Sequence, residues 1–366
     1  MKTPNRYLSI DILRGLIMVL MAIDHSYLTI YQVHYTESWN TPFPDYVNGA
    51  IFFTRWISNI CAPGFTLLMG LSMALYCNKN ISSFSAKSIR WFFIKRGLVI
   101  ILLQQFLNLP SLIFDVNNLH KMHVFTGGVL YMLGSSMIIC SFLIKVKTSI
   151  KLFIGATLII FCYLFTNFIF IEPSDNSFMN LFLLPGVNKW VSVNYPVLPW
   201  LGVSIIGLAV GDYFIIDKKK LMTNALRSSI ILLFLFIFLR VFNLGDYNHN
   251  ISANFLVNLL AVIKYPPSIA FLVLTLGILF FLFWFIDKID NTILLKPLVV
   301  FGQAPLFFYF AHYYLYIVLS KFTNHAITLY IMYLIWAFGL FLLFPIIKFY
   351  SQLKNKQGKD SFWKYL

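Results

Sequence analysis

Residues 7–31, YLSIDILRGLIMVLMAIDHSYLTIY, are apolar over most of their length yet carry Asp11, Arg14, Asp24 and His25. A charge in lipid costs about 2.5–3.5 kcal/mol on insertion scales, so several in one segment call for polar partners or a cavity. On a helix, Arg14 and His25 are eleven positions apart. That returns them to within about 20° of one face and separates them by about 16 Å. Asp11, three residues before Arg14, shares the stripe. The guanidinium is a fixed fork of donors for an anion, and neutral imidazole is a base suited to neutral pH. One reading makes the stripe the lining of a polar cavity, where these groups could work. The other reading has Arg14 snorkel to the inner headgroups and His25 to the outer ones. Asp24 adjoins His25 in sequence but diverges from it around the helix, so a carboxylate that orients His25 has to come from another element.

Further candidates lie downstream. The second apolar segment begins AIFFTRWISNICAPGF, with Arg55 near its outer end, Asn59 one turn on and Pro63-Gly64 beyond. Proline frees a backbone carbonyl, which membrane helices tolerate where neighbours or a cavity satisfy it. Seven cations escape the basic clusters described below: Arg14, Arg55, Lys121, Lys189, Arg240, Lys264 and Lys321. Of these, Arg55, Arg240 and Lys264 sit at outer helix ends, where they could hold a polar or anionic acceptor. His312, in FGQAPLFFYFAHYYLYI, lies mid-segment behind Pro305 and reads either as a hydrogen-bonded structural imidazole or as a site residue. His120, His123, His249 and His325 fall in outer loops and read as surface residues.

The elements that must position these residues follow from composition. Hydrophobic residues make up 59% of the 366 and charged ones 11%, with a mean hydropathy of +0.78. So much apolar surface belongs in lipid. The first segment spans, contains Arg14 and lacks a small-x-small cleavage site, which marks it as an anchor. The net charge of +15 is spread over short runs between apolar segments: Lys79 to Arg96, Lys145 to Lys151, Lys218 to Arg227 and Lys348 to Lys364. That is the positive-inside pattern and argues against a nucleic-acid partner. Cys61, Cys77, Cys140 and Cys162 stand singly, with no metal or redox spacing, and read as buried thiols. No metal site is expected.

Counting about 20 apolar residues per span, the pattern predicts an all-α polytopic protein. Its ten spans fall roughly at 9–31, 50–76, 97–114, 124–144, 151–171, 197–216, 225–243, 267–286, 298–320 and 329–349. Both termini then lie in the cytoplasm, with residues 351–366 a basic tail. Outer loops 172–200 and 244–267 each contain an apolar stretch too short to span, which suits an interfacial or re-entrant helix. No internal repeat is evident, and residues 1–366 read as a single membrane domain.

At this point the chain resembles a known family. RYLSIDILRGLIMVLMAIDH, followed in order by FFTRWISNICAPGFTLLMG, YPVLPWLGVSIIGLAVG, KYPPSIAFLVLTLG and FGQAPLFFYFAHYYLY, is similar to a multipass family. That family contains the catalytic domain of heparan-alpha-glucosaminide N-acetyltransferase, and the similarity extends over about residues 6–320. Arg14 and His25 also resemble the first-helix signature of the broader transmembrane acyltransferase group. The resemblance implies an enzyme of the cell (cytoplasmic) membrane. It would take an acyl group, acetyl above all, from cytoplasmic acyl-CoA to a hydroxyl or amine of a glycan or small molecule on the far side.

His25 then maps to the catalytic histidine, with Asp24 beside it, and Arg14 with Asp11 faces the CoA. The family also places a histidine in a His-x-Ser-Trp-Asn setting outside the first span. Here His34-Tyr35-Thr36-Glu37-Ser38-Trp39-Asn40 is two residues wider, which makes His34 the second catalytic candidate; His25 is favoured because it alone fits both stripe and signature. Expected acceptor contacts are Arg55, Asn59, Trp39, Lys264, Tyr265 and His312. The imidazole could serve as general base or as acyl-accepting nucleophile. Membrane lipids and copies of the chain itself complete the expected partners. A different class, a secondary transporter or proton-coupled channel, would use the Asp11/Arg14/His25 stripe as a proton relay; the missing inverted repeat weighs against it.

Overall fold

The computed structural model describes residues 7–32, 37–46, 48–107, 123–169, 175–247, 255–289, 295–323 and 327–356. His34, His120, Lys121, His249 and His325 therefore lie outside the described residues.

In chain order the elements are α1 (Leu8–Ser26), a π turn over Tyr27–Tyr31, α2 (Gly49–Trp56), a 3-10 turn over Ile57–Ile60, α3 (Cys61–Asn80) and α4 (Ala86–Phe106). Next come β1 (Phe125–Gly127), α5 (Val129–Leu143), α6 (Thr148–Phe168), α7 (Ser177–Phe182), β2 (Gly186–Val187) and β3 (Val191–Val193). The rest are α8 (Val197–Ile216), α9 (Lys218–Val241), α10 (Phe255–Leu260), α11 (Ile269–Asp287), α12 (Lys296–Gln303), α13 (Pro305–Ser320) and α14 (Leu329–Lys356).

The described residues are all-α apart from one small sheet. Six helical runs among the described residues are long and apolar enough to cross a membrane: Gly49–Asn80, Thr148–Phe168, Val197–Ile216, Lys218–Val241, Ile269–Asp287 and Leu329–Lys354. The pair α12 and α13 makes a seventh if a span may bend. The expected span at 298–320 is thus broken, by 99°. Pro305 is the cause: at the first position of α13 it brings no N–H to bond back. It also pushes Ala304 out of the helical region, to φ −131° and ψ 58°. The expected span at 124–144 begins instead as β1, and its helix has only 15 residues.

Contacts group the chain into two compact units. The first comprises Met1–Tyr35, Tyr46–Gly64 and Leu279–Leu366. Within it, α1 packs on α12 at backbone range. A Cβ added at Gly15 would stand 1.9 Å from the Leu298 carbonyl oxygen, and one at Gly302 1.9 Å from that of Asp11. Small residues at such crossings let membrane helices gain van der Waals contact. On α14, the Trp336 indole N–H donates to the Val19 carbonyl at 3.3 Å, and the Trp336 carbonyl accepts from the Tyr316 hydroxyl at 2.9 Å. These bonds fix α1 and α13 to one supporting helix.

The second unit comprises Thr36–Asp45 and Phe65–Ile278. Gly97 of α4 and Gly134 of α5 face one another so closely that a Cβ on either would come within 2.6 Å of the other's carbonyl oxygen. The sheet runs β1-β3-β2, with β1 parallel and β2 antiparallel to β3. The Gln105 side chain substitutes for a further strand: its amide oxygen accepts from the Thr126 N–H at 3.0 Å and its amide nitrogen donates to the Thr126 carbonyl at 3.1 Å. Gln104 does the same for the N-terminus of α5, accepting from Leu130 N–H at 3.0 Å. The short apolar stretches expected in the two long loops are the six-residue α7 and α10. All four cysteines are free and buried.

Candidate active site

In the first unit, His25 is the penultimate residue of α1, just before the backbone widens into the π turn that begins at Tyr27. Such turns recur at functional sites because the extra residue re-aims the side chains around it. The His25 ring lies beside that of His312, with Nδ1 of His25 and Nε2 of His312 2.7 Å apart. The second nitrogen of His312, Nδ1, is 2.6 Å from the Phe308 carbonyl oxygen. A carbonyl can only accept, so His312 Nδ1 carries a proton; in neutral His312, Nε2 is then the acceptor. It follows that His25 Nδ1 donates and that the lone pair of neutral His25 sits on Nε2. Tyr309 and Tyr313 stand edge-on to His25, with ring centres 5.9 and 5.5 Å away, while His312 is fully buried.

The opposite end of the stripe faces the helix break. Arg14 Nη1 donates to Asp11 Oδ1 and to the Gly302 carbonyl, both at 3.1 Å. Gly302 lies in the last turn of α12, whose terminal carbonyls have no helical partner and carry partial negative charge, so a cation there is stabilising. The alignment of Asp11, Arg14 and His25 on one face therefore has a structural counterpart. All three look onto α12 and α13, Asp11 through its backbone contact with Gly302 and the other two through hydrogen bonds.

Asp24 turns elsewhere, as its neighbouring position requires. It pairs with Arg55 of α2, and the two side chains are 13% and 5% exposed. The group that meets His25 Nδ1 is a second imidazole, that of His312. Asn59 lies buried in the 3-10 turn that follows Arg55.

Trp39, Lys264 and Tyr265 meet in the second unit. Trp39 N–H donates to the Tyr265 carbonyl at 3.0 Å, and the N–H groups of Lys264 and Tyr265 donate to the Glu37 carbonyl at 3.2 Å each. Lys264 is buried, with Nζ 5.3 Å from the Tyr265 ring centre. The Tyr265 hydroxyl is 3.0 Å from that of Tyr195. The Trp39 side chain packs against Cys162, Leu183, Leu184 and Ile263.

Arg240, expected at an outer helix end to hold an acceptor, is instead tied to its own loop. Its Nε donates to the Leu259 carbonyl at 3.1 Å, Nη2 to the Asn258 carbonyl, and Nη1 to Asp246 at 3.5 Å. Lys151, counted in a cytoplasmic basic run, is 1% exposed and donates to Asp212 at 2.7 Å. Tyr309, Tyr313 and Tyr195 escaped notice because aromatics abound in this chain and single ones carry no spacing signal. Among the described residues no group of three or more His, Cys, Asp or Glu could hold a metal.

A comparison with protein-family models matches residues 6–238, well over half of the chain, to the family described as heparan-alpha-glucosaminide N-acetyltransferase, catalytic. Arg14, His25, Asp24 and Arg55 fall inside the matched segment, and Lys264, Tyr265 and His312 lie beyond it. No match was found among curated proteins.

Proposed function

The chain belongs to the heparan-alpha-glucosaminide N-acetyltransferase catalytic family, and from that premise we propose that it transfers an acetyl group from cytoplasmic acetyl-CoA to a sugar hydroxyl or amine across the membrane. Family membership and the apolar helices make it a multi-pass membrane transferase. The donor, the acceptor and their sides are the proposal. The observation that carries it is the His25–His312 contact on the polar stripe, which with the Phe308 carbonyl puts the basic lone pair of neutral His25 on Nε2.

In the reaction we propose, the acceptor O–H or N–H adds to the thioester carbonyl carbon while His25 Nε2 takes its proton. The carbon–sulfur bond then breaks, and the leaving thiolate takes that proton from the imidazolium. The products are acetylated acceptor, CoA thiol and neutral His25. Arg14, with Asp11, is assigned to the phosphates of CoA, which suit a guanidinium fork. Arg55 and Asn59, which lie in the same unit as His25, are assigned to the acceptor on their chemistry: a cation and an amide. If Arg14 holds phosphate, Arg14→Ala weakens acetyl-CoA binding and Arg14→Lys restores it only in part, because an ammonium lacks the fork. Unchanged affinity in both variants removes Arg14 from the donor site.

For topology we propose ten crossings: the six spans, the bent α12–α13 pair, and α1, α4 and α5, which charge or length sets apart. Basic runs face the cytoplasm, at the membrane of the cell. A thiol at Asp175→Cys is then labelled by an impermeant maleimide added from outside, over a low background from the four buried cysteines. Labelling that requires permeabilised membranes reverses the orientation.

A further inference from the structure

We infer that His312 is the positioning residue for His25: it fixes which nitrogen of His25 is basic and holds that nitrogen's ring through the reaction. The inference rests on the proposed base role of His25. Two features of His312 carry it. Its side chain is fully buried, and both ring nitrogens are engaged, Nδ1 by the Phe308 carbonyl and Nε2 by His25. It therefore has no nitrogen to offer an acceptor, the role its sequence setting suggested.

The Phe308 carbonyl belongs to the preceding turn of the same helix, α13, so the His312 tautomer is set by rigid backbone. A donor at Nδ1 forces an acceptor at Nε2, and that in turn forces the His25 proton onto Nδ1. When His25 Nε2 receives the acceptor's proton, the Nδ1–H···Nε2 bond becomes charge-assisted and shorter. His312 thus stabilises the imidazolium that forms in the transition state more than the neutral ring that precedes it. Phe308 and Tyr316 flank the His312 ring, with centres 5.1 and 6.3 Å away, so the partner has no room to swing aside.

The test compares His312→Leu, which removes the acceptor, with His312→Gln, whose side-chain oxygen can reach where Nε2 stands. The full chain labelled with 15N-histidine reports the tautomer directly, and the His25 signal is assigned by its loss in His25→Ala. The parent protein should show His25 protonated at Nδ1 and bare at Nε2. His312→Leu should mix the tautomers, and His312→Gln should restore the parental one. With acetyl-CoA and glucosamine as probes, His312→Leu should lower kcat by about 10²-fold or more, leave the KM for acetyl-CoA unchanged, and have no further effect in a His25→Ala background. His312→Gln should recover most of the loss. A parental His25 signal protonated at Nε2, or one unmoved by His312→Leu, overturns the inference. So does equal loss of kcat in the Leu and Gln variants. A His25→Ala protein that still transfers acetyl defeats the base role itself, a separate result from either.

Discussion

Replacing His25 with alanine should abolish acetyl transfer while leaving folded yield and acetyl-CoA binding near parental levels. A group that moves a proton contributes to the chemical step, and general acid–base catalysis alone is worth roughly 10²–10⁴ in rate. Alanine leaves nothing at the position of Nε2, and His312 cannot substitute, since its own Nε2 points at the vacated ring and its Nδ1 is held by Phe308. The loss should therefore fall on kcat. His34→Ala should be milder, because a histidine eight positions beyond the helix end serves better to position the acceptor than to meet the thioester. Activity per folded molecule, with thermal stability recorded beside it, checks both variants. A structural imidazole gives the opposite pattern, a lower yield with undiminished specific activity. Near-parental turnover in His25→Ala together with loss in His34→Ala moves the catalytic centre to the outer loop.

Asp24→Ala should produce the largest loss of stability. Its removal takes a carboxylate partner from the Arg55 guanidinium, 5% exposed, and breaking a buried pair from one side typically costs about 3–5 kcal/mol. Replacing both partners at once, as Asp24→Leu with Arg55→Met, removes the buried charge as well and should recover most of the stability. Thermal unfolding of the three proteins in one detergent decides the matter. If the double variant melts as low as Asp24→Ala, or if Asp24→Ala melts with the parent, the pair is not the brace between α1 and α2 that its geometry suggests.

What was readable in the sequence was periodicity. The 3.6-residue repeat put Asp11, Arg14 and His25 on one face, and all three do look onto α12 and α13. The same repeat sent Asp24 away from His25, and it pairs with Arg55. What escaped was which long-range partner each polar group would find. Nothing in FGQAPLFFYFAHYYLYI distinguishes His312 as the mate of His25, because the two are 287 positions apart and their meeting depends on the bend that Pro305 introduces. The proline itself was visible; the 99° size of the bend, and the close approach of α1 to Gly302 beside it, were not. Hydropathy likewise merged 124–144 into one span, since the three residues of β1 are too few to interrupt the apolar run, and what holds them, β3 and the side chain of Gln105, is distant in sequence.

The most direct measurement is the fate of the acetyl carbon. Purified protein in proteoliposomes is given acetyl-CoA labelled in the acetyl group, with glucosamine and its oligomers as acceptors, and label is followed from CoA into other products for the parent and for His25→Ala. The account predicts that the parent releases CoA thiol and moves label to the amino sugar, and that the alanine variant does neither while still binding acetyl-CoA. Label that stays on CoA in both proteins while the parent conducts protons, or label transferred equally by both, contradicts it.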